Sequence, residues 1–251
     1  MKKLACVSRM VAAIVAFVAI ASAHAETSER VGYAYDKQTG EFLYSETHRG
    51  VMEDGRLITN TVSYRNRSGN VFAEKYLDFR RSLTMPDYYL VNADNGHVEG
   101  ARGADQRLNV HFRQSSDTGV REATVETPRN GIVDAGFDRF IEQHWDALVA
   151  GDVIEREFLI PSQLDFYTFE IARVESEHLE EQVFELRIKS MFLQIFVQPV
   201  LVHYDSRTRS LLRYEGISNI RNGEGENFDV RIEFRGPARV RIESGFETPS
   251  A

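Results

Sequence analysis

The side chains able to do chemistry are scattered, and their spacing forms none of the short motifs that carry a mechanism. Asp117-Thr118-Gly119 has the residue order of an aspartic-protease loop. That chemistry needs two carboxylates sharing one proton, each held at the end of an apolar strand. Here the flanking residues are Gln114, Ser115 and Ser116 and no second copy follows, so a polar turn is expected. Asn92-Ala93-Asp94-Asn95-Gly96 offers oxygens at short intervals, but a calcium loop needs its glycine sixth and a bidentate Glu twelfth. A hairpin turn is the better reading. His48, His97, His111, His144, His178 and His203 are too widely spaced to pair as metal ligands on one helix or hairpin. His144 lies on an apolar helix stripe beside Trp145 and reads as a hydrogen-bonded core histidine. His111 and His203 read as surface or rim positions on strands. There is no Gly-x-Ser-x-Gly elbow, no phosphate-binding loop and no dinucleotide turn. The expectation is a protein that is not an enzyme, with no cofactor and no metal.

Charge and cysteine usage narrow the classes further. Lys2, Lys3 and Arg9 precede the unbroken apolar run Val11–Ala21, and Ala23-His24-Ala25 follows it. This is the layout of an export signal, with cleavage expected after Ala25. The run is shorter than the ~20 residues a spanning helix needs, so no transmembrane span is expected after cleavage. The expected location is the periplasm, with residues 1–25 as signal and 26–251 as a single β-rich domain. Residues 26–251 hold 27 basic side chains against 38 acidic ones. A chain so acidic is a poor partner for nucleic acid or an anionic membrane, both of which need clustered positive charge. The sole cysteine, Cys6, lies in the signal, so no disulfide or thiol chemistry is expected beyond it. Among the basic residues after Ala25, Arg outnumbers Lys 24 to 3. Inward Arg side chains gripping a carboxylate or phosphate would be one use for them.

The elements that must position these residues are mostly strands. Leu108, Val110 and Phe112 alternate with polar neighbours, as do Phe228, Val230, Ile232 and Phe234, and again Ala238, Val240 and Ile242. Period two with one dry face marks antiparallel strands. Turn residues at Asp36–Gly40, Glu53–Gly55, Asn66–Asn70, Asn92–Gly96, Asp205–Thr208 and Asn222–Gly225 separate up to about a dozen such strands. Tyr35-Asp36-x-x-Thr39 and Tyr204-Asp205-x-x-Thr208 share one pattern, which predicts two turns in which the Asp side chain bonds back to the backbone. One stretch has helical period instead: Phe137, Phe140, Ile141, His144, Trp145, Leu148 and Val149. Asp134 is placed to cap it and Gly151 to end it. Residues 118–133 are expected to be loop with one short strand. The fold class is therefore mainly β: a strongly curved antiparallel sheet or incomplete barrel, with one amphipathic helix at about 135–150 packed on its concave face. Met191–Val202 is the most apolar stretch after the signal. It reads as a core strand or as the wall of an apolar pocket, and Pro199 keeps it from being a central strand throughout.

The helix Phe137–Ala150, the Gly151-Asp152 that feeds the next strand, and the closing hairpin Tyr204–Tyr214 before Phe228–Phe234 carry a topological resemblance. In that order the chain resembles the bacterial periplasmic lipoprotein-carrier and lipoprotein-receptor superfamily, and related uncharacterised periplasmic proteins. The resemblance implies an open barrel covered by helices, with acyl chains in an apolar cavity. The candidate lid and wall residues are then Phe137, Phe140, Ile141, Trp145, Leu148, Phe192 and Phe196. The partner would be a lipid or lipoprotein acyl chain, held by burial at about 0.8 kcal/mol per CH₂. The rival expectation is an envelope structural module whose edge strands or apolar patch bind another protein without a small ligand.

Overall fold

In the computed structural model, which describes residues 26–190 and 198–242, the chain reads β1 (Glu26–Asp36), β2 (Phe42–Glu53), β3 (Arg56–Arg65), β4 (Val71–Asp78), β5 (Asp87–Asn92), β6 (Val98–Ala104), β7 (Arg107–Arg113), β8 (Arg121–Glu126) and β9 (Gly131–Ile132) before its helix. The helix α1 (Gly136–Ala150) is followed by β10 (Ile154–Ile160), the 3₁₀ turn η1 (Pro161–Gln163), β11 (Asp165–Val174), β12 (Glu181–Ile188), β13 (Val200–Asp205), β14 (Leu211–Arg221) and β15 (Asn227–Ile242). The signal segment, Phe192 and Phe196 lie outside the described residues.

Among the described residues, all fifteen strands belong to one sheet. The order is β8 back to β1, then β15 back to β9. Thus β1 and β15 pair antiparallel in the middle, and the two edges, β8 and β9, are neighbours in sequence that do not pair. The expected meander is present, with more strands than the turn signals suggested. Only β9, parallel to β10, departs from antiparallel pairing. The sheet curls without closing into a barrel. A twisted sheet of more than about ten strands must curl or split to cover its apolar face.

The curl is visible in side chains that cross it. Asn92 and Asn95, at the β5–β6 turn, donate their amides to the carbonyls of Arg221 and Asn222 at the β14–β15 turn. Gln114 donates to the Gly225 carbonyl nearby. Those turns are distant in strand order, so the sheet has rolled back on itself. Register explains how the concave face fills. Tyr44, Tyr64, Leu77, Leu90, Leu108 and Val110 face inward and are almost fully buried. The strand β1 crosses this row with small inward residues, Gly32 and Ala34. A Cβ on Gly32 would lie 2.8 Å from Phe234 and 2.9 Å from Ile232, so a side chain there has no room.

A second apolar cluster sits under α1, where Phe137, Phe140, Ile141, Trp145 and Leu148 pack on Phe169, Ile171, Phe184, Leu186 and Val202. Burying side chains of this size contributes about 1.5–3 kcal/mol each. Gly151, at φ 101°, ends the helix and donates its N–H to Ala147 and Leu148, as expected. The N-terminus differs from expectation. The residue preceding α1 is Ala135, and Asp134 does not cap the helix with its side chain. Its carboxylate turns to a lysine across the sheet instead. His203 also departs from the sequence reading. It is buried rather than at the surface or rim, between Glu181 and Glu215.

Candidate functional site

Two polar assemblies lie on the concave side. The first is at the junction of the two apolar clusters. Asp134 adopts φ 45°, a left-handed conformation that Asp tolerates better than most residues. This directs its carboxylate inward, where Lys75 Nζ donates to Oδ1 at 2.8 Å and to Oδ2 at 3.1 Å. Asn219 donates to Oδ2 at 3.0 Å, and Asp134's neighbour Ala135 gives its N–H to Oδ1. Both ends of the Lys75–Asp134 pair are about nine-tenths buried. Burial works to lower the Lys75 ammonium pKa. The negative charges of Asp134, Glu46 and Glu99 overcome it and hold the lysine above its ordinary value. Glu46 accepts from His48 at 2.8 Å. Burial alone would raise the Glu46 pKa, but His48, Lys75 and Arg30 hold it lowered, so it stays ionised. With every charge partnered by another, this assembly does the work of a structural tie between α1 and the floor of the sheet.

The second assembly is a cleft of about 330 Å³ beside α1, bordered by Arg30, Asp138, Arg139, Ile141, Glu142, Trp145 and Tyr204, and by the β13–β14 turn with Arg209 and Leu211. Each side chain arrives for a local reason. Arg30 is on the inward row of β1, directly opposite His48. Asp138, Ile141, Glu142 and Trp145 follow one face of α1. The turn is held as the sequence predicts: Asp205 Oδ1 accepts from the backbone N–H of Arg207 and Thr208 and from the Thr208 hydroxyl. Asp36 does the same with Gln38 and Thr39.

The electrostatics of the cleft are uneven. Burial pushes the Asp138 carboxyl pKa up, but Arg139 and Arg30, with the Tyr204 hydroxyl donating to it at 2.9 Å, hold it below its ordinary value. Arg139 donates to Asp138 and to Glu142, both at 2.7 Å. Among the described residues Arg209 pairs with Asp146 alone, at 3.1 Å and largely in solvent, and it lies 5.2 Å above the Trp145 ring. Arg30 has no carboxylate within ion-pair distance among the described residues. Its guanidinium rests on the Phe234 ring at 4.4 Å.

Of the sequence-derived candidates, Ile141 and Trp145 border this cleft. Phe137, Phe140 and Leu148 are core side chains under α1. His144 donates Nδ1–H to the Phe140 carbonyl at 3.0 Å and accepts from Arg156, which is the hydrogen-bonded role expected of it. Asp117-Thr118-Gly119 forms an exposed polar turn, and Asn92–Gly96 a hairpin turn. Among the described residues, no group of three or more His, Cys, Asp or Glu could hold a metal ion. The sequence did not single out Arg30, Arg139, Arg209 or Asp138. Arg209 had one available signal, its place in the repeated turn.

No known protein family matches the chain, and no curated protein does. Among solved structures, it is similar to the β-barrel-like protein of domain of unknown function DUF1849 from Brucella abortus. The TM-score is 0.42 at 7% identity, over 88% of this chain and 99% of that one. It is also similar to a DUF1329 family protein from Desulfovibrio piger ATCC 29098, with a TM-score of 0.26 at 12% identity, over 90% of this chain and 89% of that one.

Proposed function

We propose that this chain is an exported periplasmic protein that binds a small amphiphile in the cleft beside α1, without acting on it chemically. The observation that carries the reading is the cleft itself. Its volume of about 330 Å³ suits a small ligand, and Leu211 with the edge of the largely buried Trp145 gives it apolar surface beside polar groups. The trough under β2–β7 does not serve, because aromatic and aliphatic side chains pack it. An acyl chain would therefore lie against α1 rather than inside the curled first half. Export rests on the n-region, apolar run and Ala23-His24-Ala25 of the sequence. Among the described residues no helix is long and apolar enough to cross a membrane.

The rival reading, a partner-binding envelope module, draws on the open edge β8. That edge carries Arg121, Glu122 and Glu126, and charge along an edge discourages pairing with another strand. Ligand binding is the better supported. Native mass spectra of protein purified from its own periplasm, before and after organic extraction, test it. A mass excess lost on extraction is expected. A bare-mass protein whose single tryptophan, Trp145, keeps its emission on addition of alkyl probes would overturn the reading.

A further inference from the structure

The turns Asp36–Gly40 and Asp205–Arg209 have the same skeleton. In each, the fifth residue gives its N–H to the carbonyl of the first at 2.9 Å, and the aspartate binds the backbone of the third and fourth. In each, the fifth residue takes positive φ, 72° at Gly40 and 56° at Arg209. Glycine is the residue that adopts this conformation without steric cost, and an arginine there carries strain. The first turn faces open space at Gly40. The second borders the cleft, and the strained residue is the one whose guanidinium covers Trp145. Strain kept at one copy of a repeated turn, and only where the side chain reaches a cleft, points to use of that side chain.

The charge around the cleft agrees. Three guanidiniums border it against two carboxylates, in a chain with an excess of acidic residues. Arg139 already satisfies both carboxylates, Asp138 and Glu142. That leaves Arg30, stacked on Phe234 near Asp138 and Glu46 but with no carboxylate within ion-pair distance among the described residues, and Arg209, whose partner Asp146 is mostly in solvent. A planar guanidinium immobilised on an aromatic ring is suited to bidentate recognition of an oxyanion.

We propose that the cleft takes the anionic head group of its amphiphile, a carboxylate or a phosphate monoester, on Arg30, with Arg209 closing over the ligand beside Trp145. This rests on the ligand-binding reading above and names the ligand's class. The apolar remainder would lie along Leu211 and the exposed edge of Trp145.

The test uses four probes with the same ten-carbon chain: decanoate, decyl phosphate, 1-decanol and decyltrimethylammonium. Binding to the full chain is read from Trp145 emission and checked by calorimetry. One or both anions should bind at least about tenfold more tightly than the alcohol, as expected for a charged hydrogen bond, and the cation more weakly still. Which anion binds identifies the head group. Arg30→Met keeps the stem on Phe234 and should remove about tenfold of anion affinity while leaving decanol binding unchanged. Arg209→Gly restores the residue found in the twin turn. It should weaken the anion while the melting temperature holds or rises, which separates lost binding from lost folding. If decanol binds as tightly as the anions and Arg30→Met changes neither, the anion site is wrong while ligand binding stands. If none of the four probes binds, both readings fall.

Discussion

Lys75 and Asp134 meet at 2.8 Å across the concave face, 59 residues apart in the chain, and their pairing fixes where α1 begins. Lys75 projects from the centre of β4 and Asp134 from the turn before α1, so the pair joins the curled first half to the helix-covered second half. Removing one partner of a buried ion pair typically costs about 3–5 kcal/mol. Asp134→Asn, which keeps shape and tolerance of positive φ, should approach that cost because it removes the carboxylate in direct contact with the lysine and leaves only the more distant charges of Glu46 and Glu99. Lys75→Met should cost less, because Asn219 and the Ala135 N–H still hold the carboxylate. Urea denaturation of both variants checks the order. Equal costs, or a cheaper Asp134→Asn, would contradict a structural tie.

Stability should fall as the pH drops from about 7.5 to about 5.5. Burial depresses the imidazole of His48; Glu46 raises it but does not overcome burial, and Arg30 and Lys75 add to the depression. Burial also depresses His203, with Arg213 adding to it against Glu181 and Glu215. Both stay neutral in the fold where the unfolded chain takes up protons, near the ordinary histidine value of about 6.5. The unfolded state then binds more protons, so stability present above that pH is lost below it. Urea midpoints across the range measure this. The double variant His48→Gln/His203→Gln should give a flatter profile, and a midpoint that rises on acidification would refute the assignment.

Core and cleft should separate by mutation. Leu148 is fully buried under α1 and does not border the cleft. Leu148→Ala should cost about 2–5 kcal/mol of stability and leave the affinity for a decyl anion within twofold, measured below the transition. Trp145→Leu should lower that affinity, read by calorimetry because the fluorophore is gone. If Trp145→Leu only lowered the melting temperature, the wall role of Trp145 would fail.

Gly32→Val should destabilise by about 1–3 kcal/mol, the usual cost of overpacking. A Cβ at Gly32 already meets Phe234, Ile232 and Glu46 Cγ at 2.8–3.0 Å. Thermal unfolding of this variant tests whether the β1–β15 seam is as tight as its register implies.

Asn95→Ala should loosen the end of the curl. It removes one donor from each of the Arg221 and Asn222 carbonyls, which keep Asn92 and the Gly225 N–H, so the cost is that of the lost hydrogen bonds, about 0.5–1.5 kcal/mol each. Faster amide exchange should appear at residues 221–227, with little change under α1. Uniformly faster exchange would mean the clamp is not local.

Local chemistry was legible where it repeats at short range. The alternation of Leu108, Val110 and Phe112 marked the dry face because a pleated strand points successive side chains to opposite sides. Phe137 to Val149 marked α1 and one face of it for the same kind of reason. Asp36 and Asp205 announced their turns because an Asp side chain binds backbone only two or three residues ahead.

On β1 side-chain size misleads. Val31, Tyr33 and Tyr35 are its large apolar and aromatic residues, yet small Gly32 and Ala34, with the polar Arg30, face inward. The inner space belongs to Tyr44, Ile232 and Phe234, which come from other strands.

The sequence by itself determined the β-rich class, the helix α1, the turns and the shortage of catalytic motifs. All of these depend on residues within a few positions of one another. The tertiary structure alone decided that β1 pairs with β15, that the sheet stays open between β8 and β9, and that Asp134 serves Lys75 rather than the helix. It also decided that Arg30, out of so many arginines, rests on the Phe234 ring at the border of a cleft. Each of these is a meeting of groups far apart in the chain, and such distances are set by the curl of the whole sheet, which no local pattern encodes.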